Sequence, residues 1–510
     1  MAFIIGIDIG TTNTKAVAFT DKGAVLASAG ASYTAISEQP GYHELDPVRL
    51  LDAVISVLKE VTGDLKEIPG TTSGQEGLAG ISFSAAMHSL IAVDGAGTPL
   101  THAITWADLR SRPYAEALKA SAAGKRIYRQ TGTPVHAMSP LCKLLWLKDK
   151  KPDIFAKAAR FISIKEYIWW RLFGKYQVDH SIASATGLFD IYTLDWYKES
   201  LDLAGITPGR LSIPVPATHS ESALLPEYGD SLGLPAGLPF IIGGSDGCLA
   251  NLGSLAVHPG ETALTIGTSG AVRMTAAAPQ YDPKERIFNY ILTDDLYVCG
   301  GATNNGGGAV QWFIGQFPGP GGDPTAEASQ AAKDKHGRDL TAEAGTVEAG
   351  CEGLIFLPYL LGERAPIWNA NARGVFFGIR SEHEHRHFMR AVIEGISFSL
   401  YQVGASLEET IGPIKHIYAS GGFIRSKTWL QMIADVFNRR VYVTNVADAS
   451  AIGAVILGFY ALGMIHEPGE ATGMIRVHET YEPDEERHRV YMDNFSIYTT
   501  LYERLKDLMI

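Results

Sequence analysis

Two short segments of this chain combine glycine with hydroxyl residues in a way that suits binding to phosphate. The first is Asp8-Ile-Gly-Thr-Thr-Asn-Thr-Lys15, and the second is Ile266-Gly-Thr-Ser-Gly270. Gly10 would let backbone N–H groups approach an anion closely, and the neighbouring threonine hydroxyls would add donors. Lys15 would contribute positive charge, and Asp8 would offer a carboxylate to Mg²⁺. The spacing fits neither a Walker P-loop nor a glycine-rich dinucleotide loop.

Strand-like apolar runs flank both segments, so each glycine-threonine turn is predicted to be the tip of a β-hairpin. The runs before the turns are residues 3–7 and 262–266, and residues 16–19 and 271–275 lead away from them. A repeated unit of strand, turn and strand indicates two duplicated lobes with a ligand between them. An ordinary polar hairpin turn remains the alternative for either segment taken alone.

Asp246 is a candidate for acid–base chemistry. The apolar run 239–242 leads into Gly243-Gly-Ser-Asp-Gly247, which predicts that Asp246 lies where a strand ends and a helix begins. An ionised carboxylate there could accept the proton of an attacking hydroxyl in phosphoryl transfer. A simple helix cap would use the same residue type.

Two further glycine clusters could face a nucleotide. Gly421 and Gly422 follow the strand-like run 414–418, and they would let a flat purine lie against the backbone. The segment Asn304-Asn-Gly-Gly-Gly-Ala-Val-Gln311 combines a close-approach glycine with an amide side chain. A plain strand-to-helix turn would explain either cluster equally well.

Composition limits the partners of this 510-residue chain, which carries a formal net charge of −12. The acidic balance argues against nucleic acid, because that partner requires a basic face. The four cysteines are widely separated and are expected to be packing residues in a reducing cytoplasm. We expect no signal peptide and no membrane partner, and the uncharged stretch 449–465 is predicted to be a buried helix. A homodimer is left open.

The order of predicted elements indicates an α/β protein with a first lobe at residues 1–247 and a second at 248–510. Strands are predicted near 80–83 and 90–93, and helices over 47–61 and 152–173. The S-x-x-E pattern from Ser381 to Glu384 predicts a capping box that opens a helix reaching about residue 409. Residues 315–350 are expected to form a loop followed by a polar helical segment on the surface.

An ordered set of segments resembles the FGGY family of carbohydrate kinases over nearly the whole chain. The matching segments are Asp8 to Lys15, Met87-His88, Trp106-Ala-Asp-Leu-Arg110, Met138 to Asp149 with Lys143 and Trp146, Ser245-Asp-Gly247, Ile266 to Gly270, and Ser420-Gly-Gly422. The resemblance implies two actin-like, ribonuclease-H-like lobes that close over ATP, Mg²⁺ and a sugar or polyol.

The same resemblance implies a role for individual residues. Asp246 would be the catalytic base, and it would share the metal with Asp8. The positions that would bind ATP are Gly10, Thr11, Thr12, Asn13, Lys15, Gly267, Thr268, Gly307, Gln311, Gly421, Gly422 and Ser426. Those that would bind the acceptor are Met87, His88, Trp106, His136, Met138 and Asp246.

Within the family, the segments 85–94, 132–140 and 179–187 most resemble the gluconokinase branch, so phosphorylation of D-gluconate at a terminal hydroxyl is expected. Candidates for binding its carboxylate are His88, His136, Lys165 and Arg110. Phosphorylation of D-xylulose or another pentulose on the same scaffold is the alternative. An actin-like or chaperone-like ATPase is an alternative of a different class.

Overall fold

The computed structural model describes residues 2–67, 77–229, 231–317, 340–446 and 448–509. The chain divides into two compact units, each assembled from separate segments. Unit 1 comprises residues 1–257, 276–298 and 446–476, and unit 2 comprises 258–275, 299–445 and 477–510. The predicted α/β class with two lobes is confirmed, whereas the division at residues 247 and 248 stays a prediction.

Unit 1 contains most of the elements of the amino-terminal half. Its strands are β1 (Phe3–Ile9), β2 (Asn13–Thr20), β3 (Val25–Ser32), β4 (Glu44–Leu45), β5 (Leu78–Ala85), β6 (Ile91–Val93), β7 (Ala103–Ile104), β8 (Arg160–Ile162), β9 (Gln177–Asp179), β10 (Phe189–Asp190), β11 (Asp195–Trp196), β12 (Ile213–Val215), β13 (Ser220–Glu221), β14 (Phe240–Ser245) and β17 (Phe288–Thr293). Its helices are α1 (Pro47–Lys66), α2 (Arg112–Lys119), α3 (Ala122–Thr131), α4 (Pro140–Lys150), α5 (Pro152–Lys157), α6 (Ile164–Phe173), α7 (His180–Ser184), α8 (Lys198–Ala204), α9 (Pro226–Gly229), α10 (Asp246–Leu252) and α15 (Ala449–Ala461).

A six-stranded sheet of order β13-β14-β5-β1-β2-β3 forms the centre of unit 1. Strand β1 pairs in parallel with β5, and β5 pairs in parallel with β14. The carboxyl ends of these three strands therefore meet at one edge of the sheet. Asp8, Ser84 and Asp246 all lie at or just beyond that edge, and Asp8 is directly opposite Ser84 in the register.

Helices cover both faces of this sheet, which explains why β1 is apolar on both sides. Ile5 and Ile7 share a buried cluster with Leu50 and Val54 of α1. Because side chains alternate along a strand, Gly6 faces the other way. A Cβ on Gly6 would lie 2.4 Å from a backbone oxygen of α15, so this helix packs directly on the strand. The buried helix predicted in 449–465 is thus confirmed as α15.

Unit 2 contains most of the elements of the carboxyl-terminal half. Its strands are β15 (Glu261–Ile266), β16 (Gly270–Ala276), β18 (Leu296–Thr303), β19 (Ile355–Leu357), β20 (Val375–Phe377), β21 (His416–Ser420), β22 (Val441–Thr444) and β23 (Val477–Tyr481), of which β16 and β18 extend past the boundary of the unit. Its helices are α11 (Gly307–Gln316), α12 (Leu340–Ala344), α13 (His385–Thr410), α14 (Lys427–Phe437) and α16 (Glu485–Leu505). The strands β18-β16-β15-β21-β22-β23 lie in this order in the second large sheet.

Two of the predicted elements are wrong, and a third lies partly outside the described residues. The helix predicted over 152–173 is wrong, because strand β8 separates α5 from α6. The capping box predicted from Ser381 is also wrong: α13 begins at His385, and the N–H of Glu384 donates to Nδ1 of His387 at 3.0 Å. Of the segment expected at 315–350, residues 318–339 lie outside the described residues.

Candidate active site

The first glycine-threonine segment is the tip of a β-hairpin, as predicted. Strands β1 and β2 pair in antiparallel fashion, and the N–H of Gly10 donates to the carbonyl of Asn13 at 2.9 Å. The Tyr33 hydroxyl donates to the Gly10 carbonyl at 2.6 Å, which holds the turn from the side of β3. Thr11 is half-buried and Thr12 is exposed, so the tip is open to a ligand.

A cluster of carboxylates lies beside this hairpin within unit 1. Oγ of Ser84 donates to Oδ1 of Asp8 at 2.7 Å, and Nζ of Lys15 donates to Oδ2 of Asp448 at 3.0 Å. Burial, with the charges of Asp448 and Asp246, raises the pKa of Asp8 to about 7, while Ser84 and Lys15 oppose the shift. Mutual repulsion of this kind favours a bound cation.

The oxygen donors of this cluster fit Mg²⁺. This ion commonly binds through one or two carboxylates, water and substrate phosphates, and it does not need an all-protein cage. In the described part of the chain, no set of three or more His, Cys, Asp or Glu side chains encloses a metal position. Asp8 and Asp246 as metal-binding residues therefore stay a prediction, and the electrostatics of Asp8 support it.

Asp246 occupies the predicted junction between β14 and α10. The helix is capped by its neighbour, because Oγ of Ser245 accepts the N–H of Cys248 at 3.4 Å. Asp246 is thus the first residue of the helix and not its cap. Its Oδ1 accepts the N–H of Gly247 at 2.6 Å, and the side chain is partly exposed. A helix amino terminus favours an ionised carboxylate, as a proton acceptor requires.

Buried polar contacts hold the turn that precedes Asp246. Nζ of Lys165 donates to the Gly244 carbonyl at 2.9 Å and forms an ion pair with Asp179 at 2.8 Å. Oγ of Ser181 accepts the N–H of Ser245 at 3.0 Å. The ammonium of Lys165 is therefore already bound to groups within unit 1. The structure gives no support to its binding a substrate carboxylate.

Met87 and His88 follow the carboxyl end of β5. Nδ1 of His88 is 2.7 Å from the carbonyl of Ala185, which can only accept, so Nδ1 carries the proton. In the neutral ring Nε2 is consequently an acceptor, and the Tyr290 hydroxyl lies 3.4 Å from it. This tautomer suits contact with a hydroxyl, and the backbone of His88 has a left-handed φ of 68°.

The other predicted acceptor-binding residues lie on neighbouring segments of unit 1. Trp106 follows β7 and is partly buried, and His136 and Met138 precede α4. Nδ1 of His136 accepts the N–H of Met138 at 3.2 Å, and the Met138 side chain is buried. The side chain of Arg110 binds other residues of unit 1.

The guanidinium of Arg110 is part of a buried cluster. It donates to Asp108 at 2.7 Å and to Glu44 at 2.8 Å. It also stacks over the rings of Tyr42 and Trp146. The side chains of Arg110 and Lys165 are thus both bound to other residues of the fold. His88 and His136 stay the candidates for substrate contact.

The second glycine-threonine segment is also a hairpin tip, between β15 and β16 of unit 2. Gly267 and Thr268 are exposed there. The N–H of Gly307 donates to the Gly267 carbonyl at 2.7 Å, and that of Gly306 donates to the Thr268 carbonyl at 3.0 Å. The start of α11 is thereby fastened to the loop, and Gln311 lies exposed on this helix.

The third glycine cluster follows β21, as predicted. Gly421 has a φ of 96°, and a Cβ on it would lie 2.4 Å from the carbonyl oxygen of Ile266. Gly422 is exposed and has open space around it. The hydroxyl of Ser426 caps α14 and contacts Thr341 at 2.8 Å, and contact of this residue with a nucleotide stays a prediction.

Sequence reasoning missed three residues that the structure brings to these sites. Asp448 contacts Lys15 across a separation of more than four hundred residues, and Tyr290 packs edge-on against His88 at 5.7 Å between ring centroids. Ser84 is hydrogen-bonded to Asp8. The only local signal was for Asp448, which precedes an apolar helix and caps it.

Across the described residues, no helix is both long and apolar enough to cross a membrane. The histidines His383 and His387 at the start of α13 have ring centroids 5.5 Å apart, and His387 is buried.

Comparison with known proteins agrees with this geometry. Residues 3–253 match the N-terminal domain model of the FGGY family of carbohydrate kinases, and residues 262–462 match its C-terminal domain model. A gluconokinase of Bacillus subtilis (strain 168) is 41% identical, with 99% of this chain and 96% of the relative covered.

Two solved structures from Lactobacillus acidophilus are also similar. A gluconate kinase superposes with a TM-score of 0.90 at 35% identity, covering 99% of this chain and 98% of the other. A ligand-bound xylulose kinase superposes with a TM-score of 0.91 at 35% identity, covering 99% of each chain. Because both family models match and together extend over most of the sequence, this chain belongs to the FGGY family of carbohydrate kinases.

Proposed function

We propose that this protein transfers the γ-phosphoryl group of ATP to the terminal hydroxyl of D-gluconate, giving 6-phospho-D-gluconate and ADP. The observation that carries the proposal is the position of Asp246, at the edge of the sheet that also presents Asp8 and the Met87-His88 turn. The 41% identity to a gluconokinase over nearly the full length favours gluconate as the acceptor.

In this proposal Asp246 accepts the proton of the acceptor hydroxyl as its oxygen attacks the γ-phosphorus. A bond forms between that oxygen and phosphorus, and the bond from phosphorus to the β,γ-bridging oxygen breaks. The Gly247 N–H donates to Oδ1 of Asp246, and a helix amino terminus stabilises the negative charge that this task requires. Asp8 and Asp246 would hold Mg²⁺, which when bound neutralises charge on the phosphates.

The glycine-rich turns would bind the nucleotide through backbone N–H groups. In unit 1 the hairpin at Gly10 and the side chain of Lys15 would offer donors to phosphate. In unit 2 the turns at Gly267 and Gly422 are exposed and would offer backbone N–H groups to a nucleotide. Open space at Gly422 supports contact with a flat ring, because none of the described residues has an atom within 4 Å of a Cβ placed there. Positioning and charge neutralisation account for most of the catalysis in reactions of this type.

The alternative acceptor is D-xylulose or another pentulose, since a xylulose kinase is among the similar structures. The neutral tautomer of His88, with Nε2 as acceptor, suits a substrate hydroxyl in either case. A substrate that carries a carboxylate additionally needs a donor, and His136 at the entrance to α4 is the remaining candidate among the residues considered.

A substrate panel tests the proposal. Purified protein is assayed with ATP, Mg²⁺ and D-gluconate, D-xylulose, D-ribulose or glycerol, and kcat/KM is compared. We expect D-gluconate to be preferred, and ATP turnover without acceptor to be slow. A higher kcat/KM for D-xylulose would overturn the choice of gluconate, and acceptor-independent turnover would indicate an ATPase. Asp246→Asn serves as the control and should abolish transfer while ATP still binds.

A further inference from the structure

Lys143 is fully buried on the second turn of α4, an unusual environment for a lysine. Its ammonium does not reach a carboxylate within hydrogen-bonding distance. It donates instead to three backbone carbonyls, at 2.5 Å to His88, 2.7 Å to Thr105 and 3.3 Å to Ile104. All three N–H donors of the ammonium are therefore used on backbone acceptors.

These carbonyls belong to the segments that carry the predicted acceptor-binding residues. His88 is itself one of these residues, and Trp106 directly follows Thr105. Lys143 also lies on α4, whose first turn comes just after Met138. One side chain thus joins three stretches of chain that are distant in sequence.

The contact to His88 fixes an uncommon backbone conformation. A φ of 68° is seldom adopted by a residue with a side chain, and it costs free energy unless the surroundings enforce it. Lys143 holds the carbonyl of His88, and Ala185 holds its ring. Together they fix the direction in which Nε2 points.

The charged amine satisfies all three carbonyls, whereas a neutral one has only two N–H groups and would turn a lone pair towards a carbonyl. Burial lowers the pKa of Lys143 to about 7, and the charge of Asp108 opposes that shift. Cys142 also opposes it, whereas Arg110 reinforces it. Burying such a group costs free energy unless it is hydrogen-bonded, and the three backbone carbonyls supply those hydrogen bonds to Lys143.

We infer that Lys143 is a positioning residue that holds the Met87-His88 turn and the Thr105-Trp106 segment in register for acceptor binding, so that it sets the KM of the acceptor and not that of ATP. This rests on the proposed function, since the same segments are proposed to bind the sugar acid. It makes Lys143 neither a ligand of the substrate nor a proton carrier.

The test is Lys143→Met, which keeps the length of the side chain and removes the donors. We expect the acceptor KM to rise about tenfold, which corresponds to about 1.4 kcal/mol, because the carbonyls of His88 and Thr105 lose the donor that holds these two segments in place. The KM of ATP should stay within about twofold of wild type. Lys148→Met, an exposed position on the same helix, is the matched control and should leave both constants unchanged.

Equal increases in both KM values, or a lower melting temperature with both KM values unchanged, would show a merely structural role and overturn the inference. The kinetics are read with whichever acceptor the wild-type protein prefers. A preference for D-xylulose would thus contradict the gluconate assignment and leave the test of Lys143 intact.

A measurement on the wild-type protein covers the case in which Lys143→Met does not fold. Hydrogen exchange is followed by mass spectrometry with and without the preferred acceptor. Amides in 86–89, 104–108 and 138–144 should gain protection together, and those in 304–311 should not. Protection that leaves out the segments contacted by Lys143 would overturn the inference.

Discussion

The carboxylate of Asp8 lies in an environment that disfavours its charge in the free protein. This carboxylate is buried beside Asp448 and Asp246, and its pKa is raised to about 7. The folded state therefore binds a proton more tightly than the unfolded chain does between about pH 4 and pH 7. In that window stability falls as pH rises, so the ionised Asp8 destabilises the metal-free protein above pH 7.

Asp8→Asn should consequently stabilise the metal-free protein at pH 8. Asparagine is neutral and keeps an oxygen that can accept from Ser84. We expect a gain of about 1–3 kcal/mol, below the roughly 4 kcal/mol of a three-unit shift because the site relaxes. Melting temperatures are measured in EDTA from pH 5 to pH 8, with exposed Asp21→Asn as the control.

The gain in stability of Asp8→Asn over the wild-type protein should increase with pH and become small towards pH 5. An equal gain at both ends, or a loss of stability at pH 8, would show that the charge of Asp8 is not the cause. Kinase activity should be lost in the same variant, because a neutral amide is a much weaker ligand for Mg²⁺ than a carboxylate.

At the residue scale, much of the candidate site could be predicted from the sequence. Asp8, Gly10 and Asp246 lie next to local signals, namely an apolar strand followed by a glycine-containing turn. Asp448 and Tyr290 could not be predicted in the same way. They reach the site through strand pairing and helix packing over hundreds of residues, and no local pattern records such contacts.

At the scale of elements, the hairpins and the junction before α10 were predictable because glycine and apolar runs mark them. The strand β8, which interrupts the helix predicted over 152–173, could not be predicted in this way. Its three residues, Arg160 to Ile162, are too few to show an alternation of apolar and polar residues, and the strand forms by pairing with β6. The start of α13 was misplaced for a related reason. His387 can satisfy a backbone N–H as glutamate does, which the S-x-x-E pattern does not anticipate.

Helices α10 and α15 approach each other very closely. A Cβ on Gly453 would lie 1.9 Å from the carbonyl oxygen of Leu249, and one on Gly253 would lie 1.9 Å from that of Ala449. These two glycines let the helix that begins with Asp246 approach α15 at backbone distance. Larger residues would force the helices apart.

Gly453→Ala should therefore destabilise the protein by about 2–3 kcal/mol and lower kcat, because α10 and Asp246 must move. The matched control is Gly63→Ala, at an exposed position in α1 with open space around it, which should leave stability unchanged or raise it by about 0.5–1 kcal/mol. Melting temperature and kcat at saturating substrates are measured for both. Unchanged kcat in Gly453→Ala would show that Asp246 tolerates the displacement.

At the scale of the whole molecule, unit 1 depends on a helix that comes late in the chain. Helix α15 packs on β1 and β5 of the central sheet, although it begins at residue 449. Its large buried side chains are Ile452, Val455, Ile456, Leu457 and Phe459. At about 1.5–3 kcal/mol for each such side chain, their contribution exceeds about 7 kcal/mol. This is comparable with the roughly 5–15 kcal/mol by which a typical domain is stable.

A fragment of residues 1–257 should therefore fail to fold on its own, although residues 3–253 match the N-terminal domain model of the family. Without α15 the fragment exposes the apolar face of β1 and β5, so we expect aggregation and no cooperative melting transition. Co-expression with residues 258–510, which contain α15, should restore a soluble complex with kinase activity. Circular dichroism melting and size-exclusion chromatography measure the first outcome, and the acceptor assay measures the second. A cooperative transition in the isolated fragment would mean that α1 and the sheet suffice for the stability of unit 1, and that α15 serves to place Asp448 beside Lys15.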